Sequence, residues 1–562
     1  CCPILRTQIN INLIVHLIII MKKGKNLSRL DFLKTGLLTA GAIGTGAVGT
    51  RGMGDGGSGS KGGRVDAGRF SALEKRAGDA KNVIFLVSDG MSSGTLTLAE
   101  LVKQGKMGSP THWMSLYASD PSGLAGSNGA AGANGAAGGF GKPYHRGLMD
   151  MASLSSLVTD SAAAASSWGG GKRIKNGGVN WGPENEQYKP ILEIFRDAGK
   201  ATGLVTTTRI THATPAGFSA NVPSRNMENE IAVQYLEREF DLLMGGGKRH
   251  FTEERRPDKR NLLQEFEQKG YTVALTKSEM ESSTQRSSGG NGDNGENDGR
   301  GGNRSKLLGL FYDSHLPYTV DHQTLPELQS NVPTLAEMTS VAIQRLNESG
   351  KDGFILQIEG GRVDHAAHGN DAAGLIYDQI AFDDAVKVVM DFTEDRDDTL
   401  VILTTDHANA NPGLVGLGSA YSQSNDMLKT VYDARHSMEW MFEEMDYSWS
   451  DGVLTGLKVK QIRDLIEYTT RVELANEEAL MIKRAFEGKL EVPFRNRQGP
   501  GAVIGSVLAN YNGINFLSTN HTSDFVELAA WGPGSDGLPG ITRNTDLFDL
   551  MVTMAGVGEF AE

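Results

Sequence analysis

Residues 359–368 place Glu359, Asp364, His365 and His368, four side chains able to ligate a metal ion, within ten positions. They follow directly on the apolar run 353–358. Three other apolar runs end in the same way. Run 82–88 leads into Asp89, run 202–208 into Thr211, His212 and Thr214, and run 399–405 into Asp406 and His407. Carboxylates and imidazoles on several strand tips are hard and borderline ligands, the mixture expected of a multinuclear metal hydrolase. A nucleophile candidate lies apart from them. Ser161 follows Asp160 and precedes four alanines, Ala162 to Ala165. That order predicts a helix starting at Ser161, where free backbone N–H groups and the helix dipole favour an attacking alkoxide and a bound phosphoryl group.

The elements that must position these residues follow from hydrophobic periodicity. Runs 82–88, 202–208, 241–244, 354–358 and 399–405 are continuously apolar or β-branched, the pattern of strands covered on both faces. Amphipathic helices are expected between them at 191–198, 227–240, 335–347 and 374–394. The alternation predicts an α/β fold, a three-layer sandwich around a large, mostly parallel central sheet, with ligands on loops at the strand ends. Two surface insertions are expected. Residues 121–142 contain eight glycines, and residues 281–304 have no aromatic or aliphatic side chain, so neither offsets the entropy of ordering. Residues 411–510, with Trp440 and Trp449, are expected to elaborate the main domain as a lid or crown.

The bulk composition is that of a globular protein, 39% hydrophobic and 22% charged. The formal net charge of −13 argues against nucleic acid as a partner, although bound cations would still permit an anionic substrate. Cys1 and Cys2 are the only cysteines, so a cysteine-based zinc site is excluded and any metal relies on His, Asp, Glu, Ser or Thr. Met21, Lys22, Lys23 and Lys25, followed by the Gly/Ala-rich run 35–49, read as a leader, with translation expected to start at Met21. Residues 28–34 resemble a twin-arginine export signal in their flanks, but Leu30 stands where the second arginine belongs. Residues 1–80 are thus expected to be leader and flexible linker, and 81–562 a catalytic domain of an exported protein, periplasmic or extracellular, without stable membrane insertion once mature.

Taken in order, the motifs resemble those of the alkaline phosphatase family. They are Asp89-Gly90-Met91, Thr159-Asp160-Ser161-Ala162-Ala163, His212-Ala213-Thr214-Pro215-Ala216, the Glu359–His368 run, Thr405-Asp406-His407 and His521-Thr522, with Arg225 thirteen residues after His212. Segments 311–317 and 333–339 resemble the family as well. The similarity covers about residues 80–560, less the two insertions and much of 411–510. It implies metal-dependent hydrolysis of small-molecule phosphate monoesters through a phosphoserine at Ser161, by a homodimer. It also implies two zinc ions and one magnesium per chain. One zinc would sit on Asp364, His368 and His521, and the second on Asp89, Asp406, His407 and the Ser161 oxygen. Magnesium would bind Asp89, Thr214 and Glu359. Arg225 would grip phosphate through its planar fork and Asp160 would orient Arg225. His212 and His365 would act from behind the ligands, with direct metal binding by His212 the alternative.

Two rival readings stay open on the sequence. A phosphodiesterase of the same superfamily commonly uses threonine and makes less use of an arginine clamp, so Ser161 and Arg225 favour monoesters. A non-catalytic exported module that binds phosphate or metal would not need Ser161. His112, His145, His250, His315, His322 and His436 have no paired ligand at useful spacing and read as ordinary histidines, and Trp168 reads as a core filler.

Overall fold

The computed structural model describes residues 73–118, 142, 144–284, 306–416, 418–450, 453–491, 495–497 and 499–561. Strand β1, Asn82–Ser88, is buried along its whole length. Ile84 and Leu86 enter one hydrophobic core, while Val83, Phe85 and Val87 enter another. Alternate side chains thus bury on opposite faces, which is why the run carries no polar stripe.

The central sheet is completed by β2 (Tyr144–Asp150), β3 (Ala201–Arg209), β4 (Leu242–Gly246), β5 (Thr272–Ala274), β6 (Leu307–Leu310), β7 (Phe354–Gly360), β8 (Thr399–Thr404), β9 (Val526–Trp531) and β10 (Ile541–Arg543). Its order is β10-β2-β9-β8-β1-β7-β3-β4-β6-β5. Among the described strands only β9 runs against the rest, antiparallel to both β2 and β8. Helices cover both faces, giving the three-layer sandwich expected from the alternation of runs.

On one face lie α1 (Ser161–Gly169) and α2 (Ala213–Ser219). Phe85 seats both, with ring centroids 4.8 Å from Trp168 and 5.1 Å from Phe218. Trp168 is fully buried here and fills the core. The helices meet through glycine: a Cβ on Gly169 would lie 1.9 Å from the Gly217 carbonyl oxygen. On the other face lie α3 (Leu335–Asn347), α4 (Arg362–Gly369) and the long α5 (Ala372–Thr393). Helix α3 begins and ends where its periodicity places it. Thr334 Oγ1 accepts from Glu337 N at 3.2 Å and Glu337 Oε2 accepts from Thr334 N at 2.9 Å, a reciprocal cap worth about 1 kcal/mol.

Strands β2, β5, β6, β9 and β10 are not among the runs expected from the sequence. β2 is mostly half-buried, and its residues Tyr144, His145, Arg146 and Gly147 give no apolar run. Residues 411–510 include α6 (Met438–Glu444), further helices at Gln423–Leu428, Val459–Thr470, Asn476–Phe486 and, reaching just beyond, Pro500–Asn512, and a small hairpin that includes Trp449. The insertion expected at 121–142 lies outside the described residues except for Lys142. Of 281–304, Glu281 and Ser282 close the helix Lys277–Ser282, and residues 285–304 lie outside the described residues, as does the leader through residue 72.

Candidate active site

Strands β3, β7, β1 and β8 are neighbours that run the same way, so their C-terminal ends open on one edge. Register fixes the depth: Val87 lies opposite both Glu359 and Thr404, and Thr206 lies opposite Glu359. Asp89, His212, Glu359 and Asp406 therefore converge although they come from four separate segments. Gly90 makes the close approach possible. Its φ is +69°, its N–H donates to Asp406 Oδ1 at 2.9 Å, and a Cβ would lie 2.6 Å from Asp364 Oδ1.

Three groups of ligand atoms form there, each with all its atoms within 4.8 Å of one another. The first is Asp364, His368 and His521. Asp364 and His368 are four residues apart on α4 and so share a face. His521 arrives from the strand His521–Thr522, which pairs with Ala408–Asn409 beyond β8. His368 Nδ1 donates to the Thr519 carbonyl at 2.6 Å, and His521 Nδ1 to that of Thr159 at 2.9 Å. Their Nε2 atoms face each other at 3.0 Å. Neutral rings would oppose two lone pairs there, a repulsion that a bound cation relieves, and carbonyl-oriented imidazoles are the usual backing of a metal site. Burial works to raise the Asp364 carboxyl, but the imidazoles of His368, His521 and His407 outweigh it and hold it well below the usual range.

The second group is Asp89, Asp406 and His407, all buried. His407 Nε2 lies 3.1 Å from Asp406 Oδ2, 3.7 Å from Asp89 Oδ1 and 3.2 Å from Ser161 Oγ. The third joins Asp89 and Glu359 with His212, and the hydroxyl of Thr214 on α2 is buried nearby in chain position. Glu359 Oε2 accepts from Thr206 Oγ1 at 2.5 Å and from Thr208 Oγ1 at 3.2 Å. Its Oε1, both oxygens of Asp89, His407 Nδ1 and Thr214 Oγ1 are buried with no hydrogen-bond partner. Orphaned polar atoms at this density are costly unless cations satisfy them. The donor set, imidazole with carboxylate in two groups and oxygen-rich in the third, fits zinc for the former and magnesium for the latter.

Electrostatics point the same way. Burial, then the carboxylates of Asp406, Asp364 and Glu359, push Asp89 well above the usual carboxylate range. Burial likewise raises Glu359 to about 7, against the hydrogen bonds of its threonines. A carboxyl raised on folding favours its protonated form in the folded state. Stability is therefore full at low pH and falls as pH rises from the unfolded value of 4.5 to about 7. Chelated protein is expected to melt progressively lower across that interval, while metal-loaded protein does not. Calorimetry of both forms at pH 5 and pH 7.5 checks this, and parallel melting curves would contradict it.

Ser161 is 2% exposed and opens α1. Asp160 caps the helix, its Oδ1 accepting from Ala163 N at 3.0 Å. Its Oδ2 accepts from Gly177 N at 2.9 Å and pairs with Arg225 Nη1 at 3.2 Å. Arg225 Nη2 donates to His212 Nε2 at 3.2 Å. Guanidinium only donates, so the His212 proton sits on Nδ1. In that tautomer His212 offers the site a donor rather than a lone pair.

Several residues here had no signal in sequence spacing. Asn409 Nδ2 donates to Asp364 Oδ1 at 2.7 Å. His315, read as an ordinary histidine, is buried with its ring 4.3 Å from His365 and 5.5 Å from His212. Its partner Arg209 is held by Glu228 at 2.7 Å. The threonine run 206–208 could have been noticed, since it leads into the His212 motif; His315 lies in a different segment and only folding brings it near. His436 stacks on Trp440 at 3.8 Å and bonds Asp321 at 3.2 Å, apart from the three groups. A fourth group, His112, Asp383 and Asp384, already holds the ammonium of Lys103, 2.7 Å from Asp383.

A profile of the alkaline phosphatase family matches residues 80–557. Alkaline phosphatase 3 of Bacillus subtilis is 28% identical over 496 residues, 85% of this chain and 90% of that one. Alkaline phosphatase 4 of the same organism is 29% identical over 408 residues, 72% and 77% of the two chains. The crystal structure of Thermus thermophilus alkaline phosphatase superposes with a TM-score of 0.71 at 30% identity, covering 88% of this chain and 95% of that one. With the fold, the ligand groups and these similarities in agreement, the chain belongs to the alkaline phosphatase family and is a metal-dependent phosphomonoester hydrolase.

Proposed function

We propose that the reaction runs through a phosphoserine on Ser161. The observation that carries this reading is the contact of Ser161 Oγ with His407, inside the second ligand group and at the start of α1. Oγ forms the new P–O bond as the substrate's ester P–O bond breaks and the alcohol leaves. Water then cleaves the phosphoserine and releases inorganic phosphate. The helix start supports a dianionic phosphoryl group, because its first N–H groups have no intrahelical partner.

Asp364, His368 and His521 would hold one zinc, and Asp89, Asp406 and His407 with the Ser161 oxygen a second. Asp89, Thr214 and Glu359 would hold magnesium, with His212 and His365 behind the ligands. Bound there, the ions supply Lewis-acid stabilisation to the attacking and leaving oxygens. Arg225 is the phosphate clamp and Asp160 its support. Burial works to lower the Arg225 pKa, but Asp160 and Asp89 outweigh it, so the guanidinium stays charged. Arg225→Lys is expected to weaken phosphate inhibition and lower kcat/KM together by about 2 kcal/mol, about thirtyfold. Unchanged inhibition by inorganic phosphate would contradict the clamp.

The reading extends to residues 1–80 as leader and linker, to export into the periplasm or medium, and to a homodimer. The leader-like segment at 21–49 supports export, and among the described residues no helix is long and apolar enough to cross a membrane. The deciding experiment for the activity is hydrolysis of a phosphate monoester beside a diester, with metal content measured on the same sample. Faster turnover of the diester would overturn the assignment.

A further inference from the structure

Arg362 is among the largest fully buried side chains, yet it ligates nothing and lies one turn before His365 on α4. Its guanidinium stacks 3.8 Å over the Tyr318 ring and donates from Nη1 to His365 Nδ1 at 2.9 Å. From Nη2 it pairs with Glu439 Oε2 at 2.9 Å. Glu439 belongs to α6, in the 411–510 segment. That helix start is itself fixed: Asp371 Oδ2 accepts from Met438 N at 2.7 Å, and Asp321 accepts from Ser437 N at 2.9 Å and Ser437 Oγ at 2.6 Å. Glu439 therefore reaches Arg362 from a rigid mount.

The contacts continue toward the substrate. Because Arg362 takes the Nδ1 lone pair, the His365 proton sits on Nε2 and the ring plane is set. His365 meets His212 edge to face at 5.6 Å, and His212 accepts from Arg225 at 3.2 Å. We propose that Glu439 is a positioning residue for phosphate, acting through Arg362 and the imidazoles of His365 and His212 on Arg225. The 411–510 segment then does more than cover the domain: it sets the angle of the clamp. This rests on Arg225 being the clamp.

The test measures the dissociation constant of labelled inorganic phosphate by equilibrium dialysis on metal-loaded protein, with elemental analysis and melting temperature for each variant. Glu439→Ala is expected to weaken phosphate about threefold to thirtyfold, the range of coupling through packed networks. Replacing the pair by apolar residues, Arg362→Met with Glu439→Leu, is expected to restore melting temperature, since the buried guanidinium that needed a partner is then gone. It should leave phosphate binding weak. In a His212→Ala background, Glu439→Ala should add less than about 1.5-fold, because the connection is already cut. Wild-type affinity in Glu439→Ala, recovery of affinity by the apolar pair, an undiminished effect without His212, or loss of a metal ion would each overturn the proposal. Arg225→Lys with wild-type affinity would instead sink the clamp, so the two failures are distinguishable.

Discussion

Ser161→Ala is expected to reduce turnover by at least about a thousandfold while leaving fold and metal content close to wild type. The structure separates the two roles. The helix cap belongs to Asp160, which keeps its hydrogen bond to Ala163 N when the serine oxygen is gone. Alanine at the first helical position is favourable by propensity, and the site is too buried for the smaller side chain to expose new surface. What is lost is the hydroxyl that lies 3.2 Å from His407 Nε2. The check is incubation with labelled phosphate at acidic pH, followed by denaturation. Wild-type protein should retain label on serine and the variant should retain none. Label on the variant would move the nucleophile elsewhere.

Chelation is expected to abolish activity completely and reversibly, with zinc plus magnesium restoring it best. Three protein ligands around one position is the arrangement of a catalytic rather than a structural zinc. His521→Ala should selectively remove one zinc per chain, because Asp406 and His407 hold their own group. The His521 ring also stacks on His407 at 3.5 Å, so the remaining zinc should bind more loosely in this variant. Burial, then the charge of His407, lowers His521 to about 3, so its imidazole is neutral and ready to ligate across the working pH range. Activity should rise into the alkaline range, where the serine and the attacking water are more easily deprotonated. Zinc stoichiometry by elemental analysis, before and after the substitution, decides the matter; identical values would show that His521 is not a ligand.

Much of this was legible in the chain. Local rules suffice for β1, β7 and β8, whose apolar runs match the observed strands nearly residue for residue, and for α3, whose capping residues mark its first turn. The ligand types were legible too, because Asp364 and His368 share one helix and Asp406 adjoins His407. The strands on the far side of β8 were not. β9 and β2 are held by pairing to β8 and to each other, and their own residues carry no strong preference. Nor could spacing reveal that His521 closes the group begun at Asp364, since only the pairing of residues 521–522 with 408–409 brings it there. The same holds for His315, which lies in the family-like segment 311–317 with no ligand paired to it by spacing, and for Glu439, which lies in a segment without a motif. Each gains its place through a guanidinium, Arg209 for one and Arg362 for the other. Composition and periodicity determine what each segment is, because those are short-range preferences of the backbone and of apolar burial. Which polar groups end up sharing one buried site is decided by tertiary packing alone, because charge and hydrogen bonding act through space between residues hundreds of positions apart.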